Sequence, residues 1–122
     1  MGFKDRVHRA LASRAEIEAD EERAVASRSA GCTPVAQVPD RSRASVVGVL
    51  RSVTLRPREG VPALEAELYD GSGALDLVWL GRRAIQGVEP GRRLRAEGLV
   101  CLVDGRRTVF NPRYVLVPRP GE

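Results

Sequence analysis

Residues 63–80 constrain the fold most strongly, because two alternating apolar runs are joined there by a four-residue turn. Alternation of apolar and polar residues is the pattern of a half-buried strand. The turn, Asp70-Gly71-Ser72-Gly73, contains two glycines that can adopt a positive φ. In the second run Asp76 marks the solvent side, which fixes the inward face. We therefore predict a hairpin with one buried face formed by Leu64, Ala66, Leu68, Leu75, Leu77 and Trp79.

Three further strands are predicted on either side of this hairpin. Residues 44–55 are rich in β-branched residues, and Gly48 within them predicts a bulge or a sharp bend. A fourth strand is predicted to open at Gly91 and to run through Leu102, and Asp104-Gly105 is a strong hairpin signal after it. A fifth strand is predicted over residues 108–117. The part of the chain after residue 43 is therefore mostly β.

The connection between the third and fourth strands completes the predicted topology. Residues 81–90 are predicted to hold one short helix or turn, with Ile85 and Val88 as apolar plugs. The fifth strand is either continuous or broken at Asn111-Pro112. Five strands with a long, bent first strand and a short helix between strands three and four follow the order of a five-stranded OB-fold barrel.

An N-terminal helical arm is predicted over residues 1–31, since residues 3–28 lack Gly and Pro and contain many good helix formers. Its apolar stripe gives way to an acidic run, so one helix, two helices or a partly disordered arm remain open. The arm could dock on the basic body, although a solvated appendage is the simpler interpretation. Residues 32–43 are predicted to be a linker, and residues 44–118 the barrel. The stripe consists of Phe3, Val7, Ala10, Leu11 and Ala15.

Charge is distributed unevenly along a chain whose net charge is +4. Residues 1–40 hold six basic and seven acidic side chains, whereas residues 41–122 hold fourteen basic and nine acidic ones. All basic groups but Lys4 are arginines, which make flat, bidentate contacts to phosphate. A GC-rich genome would also favour arginine over lysine, so the charge alone does not decide between these explanations.

The two cysteines and the N-terminus indicate a cytoplasmic protein. Cys32 and Cys101 are far apart, without metal-ligand spacing, and we predict free thiols in a reducing compartment. Cys101 lies in an apolar run and is predicted to be a small core residue. The N-terminus is too charged for a signal peptide, and no apolar run approaches the roughly 20 residues of a membrane span.

Catalytic signals are absent from the sequence. His8 is the only histidine, no serine has a neighbouring base, and no phosphate-binding loop motif or metal-site pattern occurs. Asp70 and Asp104 lie in Asp-Gly turns, where backbone hydrogen bonding explains them. We therefore predict a protein that is not an enzyme and that needs no metal or cofactor.

Residues 46–117 resemble the OB-fold nucleic-acid-binding domains of the anticodon-binding or helicase-wedge type. The resemblance rests on the stretches VVGVLRSV, LEAELYDGSGALDLVWL, IQGVEPGRRLRAEGLV and NPRYVLV. The whole chain is similar to small actinobacterial proteins with such a domain and an N-terminal helical arm. The resemblance implies a nucleic-acid ligand, single-stranded DNA or RNA including tRNA, although OB-folds also bind proteins and sugars.

The resemblance also implies where the ligand would bind. OB-folds use the face of strands two and three, bordered by the strand 1–2 and 4–5 loops, and combine cationic groups with aromatic faces. Isolated arginines in turns are more often only solvated, and Trp79 is either a core residue, as its parity indicates, or a base-stacking surface. The predicted nucleic-acid-binding residues are Arg56, Arg58, Tyr69, Trp79, Arg82, Arg83, Arg106, Arg107 and Arg113.

Three carboxylates on the same predicted face oppose this function. Glu65, Glu67 and Asp76 would repel a polyanion, so we predict weak, salt-sensitive and sequence-tolerant binding. The alternative is a protein–protein adaptor or regulatory subunit that uses the barrel or the helical arm. Added salt, and replacement of Arg106 and Arg107 by alanine, should weaken nucleic-acid binding but leave an apolar adaptor contact unchanged.

Overall fold

The computed structural model describes residues 3–121, with the side chains of residues 13–26 and 29–121. It is mostly β, with one long helix at the start of the chain. The elements are α1 (Phe3–Arg28), a 3₁₀ helix (Val35–Gln37), β1 (Ser42–Leu55), β2 (Ala63–Tyr69), β3 (Ala74–Leu80), β4 (Arg93–Val103), β5 (Arg106–Phe110) and β6 (Arg113–Leu116).

Five strands form a closed ring. β1 pairs with β2 on one side and with β4 on the other, β2 pairs with β3, and β5 lies between β3 and β4. All of these pairs are antiparallel except β3–β5, which is parallel. β6 pairs with β4 beyond β5. The predicted mostly β, OB-like architecture with an N-terminal helix is confirmed.

β1 serves two neighbours because it changes partner along its length. Val49 pairs with both Arg93 of β4 and Tyr69 of β2, and the β1–β2 register shifts between Leu50 and Ser52. At Gly48 an added Cβ would lie 2.4 Å from the carbonyl oxygen of Tyr69, so only glycine permits this close crossing. The bend predicted from Gly48 therefore lies where the strand passes from one partner to the other.

The core follows the period-two pattern of the hairpin. The inward residues of β2 and β3 are buried as predicted, and they belong to one cluster with Val46, Leu50, Leu94 and Val109. Few of these side chains are aromatic, so the core consists mainly of leucine and valine packed around Trp79. This packing leaves the alternate, polar residues of β2 and β3 on the outer surface of the ring.

Residues 32–43, predicted to be a linker, instead contribute to the core. Val35 is 0% exposed and Val38 is 2% exposed, and both pack in the main apolar cluster. Pro34 precedes the short 3₁₀ helix that turns these valines inward, and β1 already begins at Ser42 rather than at Ala44. Two valines with a long-range partner thus override the local polar character of the segment.

Of the short helix or turn predicted between strands three and four, the structure has turns and not the helix. Within the described chain, residues 81–92 contain only turns and extended backbone. Gly81 and Gly87 have φ values of 77° and 83°, which a helix does not allow, and Pro90 follows. Ile85 and Val88 are nevertheless buried in the core, so the loop supplies the predicted plugs without a helix.

The predicted fifth strand is broken, as its Asn111-Pro112 sequence left open. β5 ends at Phe110, and β6 begins at Arg113. Asn111 has a φ of 51°, donates its backbone N–H to the carbonyl oxygen of Val78, and accepts the N–H of Leu80 with its side chain. The break thus fastens the end of β5 to the end of β3.

The arm is a single helix that docks on the ring with its C-terminal half. Ala19 is buried against the β2–β3 turn at Gly71, and Glu22 forms an ion pair with Arg93 of β4. The side chains of residues 13–18 are exposed, including Ala15 of the predicted stripe, while the stripe's first four residues lie outside the described side chains. In the described part of the chain, no helix is both long and apolar enough to cross a membrane.

Candidate nucleic-acid interface

A groove of about 460 Å³ lies on the outer face of β2 and β3, where the OB-like topology predicts a ligand. Its lining includes Val78, which has the outward parity of β3, and its border comes from the β1–β2 and β4–β5 connections. Arg56 and Arg58 line it from the first connection, and Arg106 lines it from the second. The topology therefore brings three of the predicted arginines to one surface.

The arginines of this groove are already paired with its carboxylates. Arg106 donates to the two carboxylate oxygens of Asp76 at 2.6 and 2.8 Å and to Glu67 at 3.1 Å. The hydrogen bonds and charge of Asp76, with a smaller contribution from Glu67, raise the pKa of Arg106. Arg58 donates twice to one oxygen of Glu65, at 2.9 and 2.6 Å, and Arg56 lies 3.9 Å from the other.

The groove therefore has little positive charge to offer a polyanion. Its ionisable lining consists of three arginines and four carboxylates, the fourth being that of Asp104, which gives a formal charge of −1. The three carboxylates that were predicted to repel nucleic acid are thus the ion-pair partners of the arginines that were predicted to bind it. A phosphate entering here would have to displace these ion pairs.

Arg107 has a structural contact rather than a position in the groove. Its guanidinium donates to the carbonyl oxygens of Val38, at 3.0 Å, and Ala36, at 3.2 Å. These two bonds hold the segment that carries the core residues Val35 and Val38. Arg107 thus helps to fix the 3₁₀ segment, and its role in binding stays a prediction.

The two aromatic residues predicted to stack on bases have other partners. Trp79 is 5% exposed, donates its indole N–H to the carbonyl oxygen of Pro112 at 3.2 Å, and meets Tyr114 edge-on with centroids 5.7 Å apart. Trp79 is therefore the core residue that its parity predicted and not an exposed surface for base stacking. Tyr69 is half-buried, and the guanidinium of Arg51 covers one face of its ring at 3.3 Å.

Arg82 and Arg83 lie in the β3–β4 loop and are exposed. The loop begins with the N–H of Gly81 bonded to the carbonyl oxygen of Pro62, which brings it beside the β1–β2 connection. Neither arginine has a hydrogen bond or ion pair to any other described residue. Arg82 and Arg83 therefore retain their full capacity to bind an anion.

An exposed aromatic residue that the sequence analysis did not select lies beside this loop. Phe110 is 41% exposed, and it forms a shallow apolar depression of about 570 Å³ with Val61 and Leu80, bordered by Arg58 and Glu59. The Arg58 guanidinium lies 5.5 Å from the Phe110 ring centroid. We call Val61, Leu80 and Phe110 the Phe110 patch. The sequence did contain one signal for the exposure of Phe110: it has the opposite parity to its apolar neighbour Val109, which is buried.

Arg113 is exposed at the first position of β6, three residues beyond Phe110. In the β4–β6 register it faces Glu97 across the strands, and no hydrogen bond joins it to another described residue. It lies outside the groove, because β6 pairs with β4 and not with β3.

The described residues offer no cluster of three or more His, Cys, Asp or Glu side chains that could hold a metal ion. Both described cysteines are free thiols of intermediate burial. Burial raises the pKa of Cys32, while the charge of Arg95 lowers it to a smaller extent. Cys101 is only partly buried, on the outward side of β4, and is not the core residue that its apolar surroundings predicted.

Comparisons with known proteins identify the fold but no family. No family model matches the sequence, and no curated protein matches it significantly. Among solved structures, the chain is similar to part of RecG in its complex with a three-way DNA junction, with a TM-score of 0.60 and 19% sequence identity. The match covers 74% of this chain but 13% of that one. At this identity the likeness supports the OB-like fold alone.

Proposed function

We propose that this protein is a non-catalytic nucleic-acid-binding module that binds single-stranded DNA or RNA at the Phe110 patch and at Arg82 and Arg83. One observation carries the proposal: two exposed arginines without intramolecular partners among the described residues come two and three residues after Leu80, which belongs to an exposed aromatic and aliphatic surface. An arginine can bind phosphate while a neighbouring ring stacks on a base, the two elements of single-strand binding.

The expected strength of each element follows from its exposure. Base–aromatic stacking contributes roughly 1–3 kcal/mol per base, and one exposed phenylalanine provides one such site. Contacts from Arg82 and Arg83 to phosphate are charge-assisted but exposed to solvent, so they should weaken as salt rises. One stacking site and two phosphate contacts predict weak, salt-sensitive and sequence-tolerant binding.

The groove on β2 and β3 is assigned a lesser part in this proposal. Its arginines are engaged by Glu65, Glu67 and Asp76, and its formal charge is negative. RecG, with which the chain shares its fold, is bound to a three-way DNA junction in the matched structure, which supports nucleic acid as the class of ligand. The main contact surface is therefore the β3–β4 loop and the Phe110 patch, and not the groove.

The test is a fluorescence-anisotropy titration of a labelled single strand of about 20 nucleotides, at low and at physiological salt. The informative variant is Arg82→Gln/Arg83→Gln, which removes two charges but keeps chain length. Arg14→Gln/Arg23→Gln removes the same charge from exposed positions of α1 and serves as the matched control. We expect the loop variant to weaken binding roughly tenfold and the helix variant less than twofold.

Two results would contradict this proposal. Absence of wild-type binding at low salt, where phosphate contacts are strongest, would exclude nucleic acid as the ligand. Equal losses in the loop and helix variants would indicate only a general effect of net charge. A loss confined to the loop variant, together with steep salt dependence, would support the interface.

A protein–protein adaptor remains the second candidate, and the Phe110 patch is the observation that favours it. Exposed aromatic and aliphatic side chains beside arginine are also a composition found at protein interfaces. Association through the patch itself would persist at high salt, whereas binding through phosphate contacts would not. Retention of a partner protein in high salt, lost on Phe110→Ser, would favour the adaptor.

A further inference from the structure

The outer face of β1, β4 and β6 carries a second group of arginines. In the registers of these strands Arg43 pairs with Leu99, Arg95 with Val115, and Arg113 with Glu97. Val46, Leu94 and Ala96, which have the opposite parity, are buried in the core. The six residues of these three pairs therefore point away from the core. We call this surface the cationic face; it consists of Arg43, Leu99, Arg95, Val115, Arg113 and Glu97.

Charge distinguishes this face from the groove on β2 and β3. Its ionisable side chains are three arginines and one glutamate, and the neighbouring outward Arg93 is paired with Glu22 of α1, so the formal charge is +2, compared with −1 in the groove. Arg43 and Arg113 are exposed, and neither has a hydrogen bond or ion pair within the described residues. Arg95 uses one nitrogen to bond the carbonyl oxygen of Ala30 at 3.0 Å.

The cationic face begins where the Phe110 patch ends. β5 and β6 pair one after the other with β4, through Cys101 with Thr108 and then Glu97 with Arg113. Between these two pairs β4 exposes Leu99, which is 49% exposed, and β5 exposes its last residue, Phe110. A nucleic-acid strand that extends from the Phe110 patch across β4 would therefore next reach Arg113 and Arg43, the two arginines without partners among the described residues.

We propose that the cationic face binds the sugar–phosphate backbone of the same nucleic-acid strand whose base stacks on Phe110. This inference rests on the function proposed above and extends its contact surface across β4. Neighbouring strands lie about 4.8 Å apart and residues rise about 3.4 Å along a strand, so the backbone positions of Arg43 and Arg113 are roughly 12 Å apart. Such spacing lets both guanidinium groups contact one strand at different phosphates.

The chemistry of the face selects backbone rather than bases. Its outward residues are aliphatic or charged, so they offer no ring for stacking. Phosphate contacts fix the position of a strand without reading its sequence. The face is therefore expected to add affinity in proportion to strand length, with no added sequence preference.

Strand length provides the test. Binding of the full-length protein is measured with single strands of about 4 and about 15 nucleotides, the approximate limits of one OB-fold site. The short strand can occupy the Phe110 patch alone, whereas the long one can also reach the cationic face. The variant is Arg43→Gln/Arg113→Gln, with Arg14→Gln/Arg23→Gln as the control of equal charge and a melting curve to confirm folding.

We expect the variant to weaken binding of the long strand about tenfold and of the short strand less than twofold. Loss of two phosphate contacts should also lower the salt slope for the long strand by about 1.4, because each contact with a single strand contributes about 0.7. The control variant should change neither quantity selectively.

Parallel measurements on Arg82→Gln/Arg83→Gln separate failure of this inference from failure of the proposed function. If only the loop variant weakens the long strand, the cationic face is not a contact surface and the Phe110 site stands. If only Arg43→Gln/Arg113→Gln does so, the cationic face contacts the nucleic acid but Arg82 and Arg83 do not, and the proposed function fails at the loop. Wild-type binding to phosphatidylserine vesicles that depends on Arg43 and Arg113, without any effect on the long strand, would overturn the inference in favour of a membrane ligand.

Discussion

The side chain of Asp70 accepts the backbone N–H of Val35 at 2.8 Å, across 35 residues of sequence. Its other oxygen accepts the backbone N–H and the hydroxyl of Ser72, at 2.9 and 2.7 Å, and the N–H of Gly73 at 3.1 Å. Asp70 is 1% exposed. One buried carboxylate therefore closes the β2–β3 turn and also holds Val35 in the core.

Asp70→Asn should destabilise the protein by about 1–3 kcal/mol, the usual cost of leaving a buried donor without its acceptor. Each carboxylate oxygen faces backbone donors, so either orientation of the amide would place its NH₂ group against an N–H. Urea unfolding measures the change in the free energy of unfolding.

Asp104→Asn is the matched control for this prediction. Asp104 also lies in an Asp-Gly turn, but it is exposed and has a φ of 50°, which asparagine tolerates well. We expect its stability to remain within about 0.5 kcal/mol of wild type. Equal effects of the two substitutions would show that the buried hydrogen bonds of Asp70 add nothing beyond those of an ordinary Asp-Gly turn.

Gly71→Ala should release the docked half of α1. Gly71 has a φ of 87°, and an added Cβ would lie 2.2 Å from the carbonyl oxygen of Ala19 in the helix. The same substitution at Gly105, with a φ of 77° and nothing within 4 Å, carries only the backbone penalty of about 1–2 kcal/mol. Hydrogen exchange of residues 19–26 should therefore accelerate relative to the ring in Gly71→Ala alone.

Comparable acceleration in Gly105→Ala would mean that the helix loosens with general destabilisation and not through its contact at Gly71. The comparison is controlled because both glycines follow an aspartate in a tight turn. It also tests whether the acidic helix is a fixed part of the fold, as the ion pair between Glu22 and Arg93 indicates.

Local patterns made much of the ring predictable. Alternation around Asp76 assigned the inward face of β3 and, with it, the buried position of Trp79. Glycine and Asp-Gly signals marked the bend of β1 and both hairpin turns, because these positions depend on backbone conformations that few residues adopt. Asn111-Pro112 likewise marked the break after β5.

Features that depend on distant partners were not predictable in this way. Nothing in residues 32–43 indicates that Val35 will bond a turn 35 residues later, so the segment resembled a linker. The arginines of the groove were identified, but their pairing with Glu65, Glu67 and Asp76 depends on strand order and was not. Phe110 was overlooked because one aromatic at a strand end does not indicate whether neighbouring loops cover it.

Removing two carboxylates from the groove should strengthen nucleic-acid binding. Glu67→Gln/Asp76→Asn frees Arg106 from both of its partners and changes the formal charge of the groove from −1 to +1. We expect a gain in affinity of roughly fivefold at low salt and a steeper salt dependence. Anisotropy titrations at several salt concentrations measure both quantities.

Glu16→Gln/Glu18→Gln provides the control, since it removes the same charge from exposed positions of α1. An equal gain in this variant would attribute the effect to net charge. No gain in the groove variant would mean that a bound strand does not come near β2 and β3, which would restrict the interface to the Phe110 patch and the surfaces on its other side.

Tryptophan fluorescence distinguishes the buried ring from the proposed stacking site. Because Trp79 is buried and bonded to Pro112, a saturating single strand should leave its emission unchanged. Trp79→Phe/Phe110→Trp moves the fluorophore to the exposed patch, where stacking on a base should quench it. Trp79→Phe alone, which loses one buried hydrogen bond and leaves a cavity in the core at a cost of about 2–3 kcal/mol, should retain wild-type affinity. Quenching of the wild-type protein would contradict the buried position of Trp79, and unquenched binding by the double variant would exclude Phe110 as the stacking site.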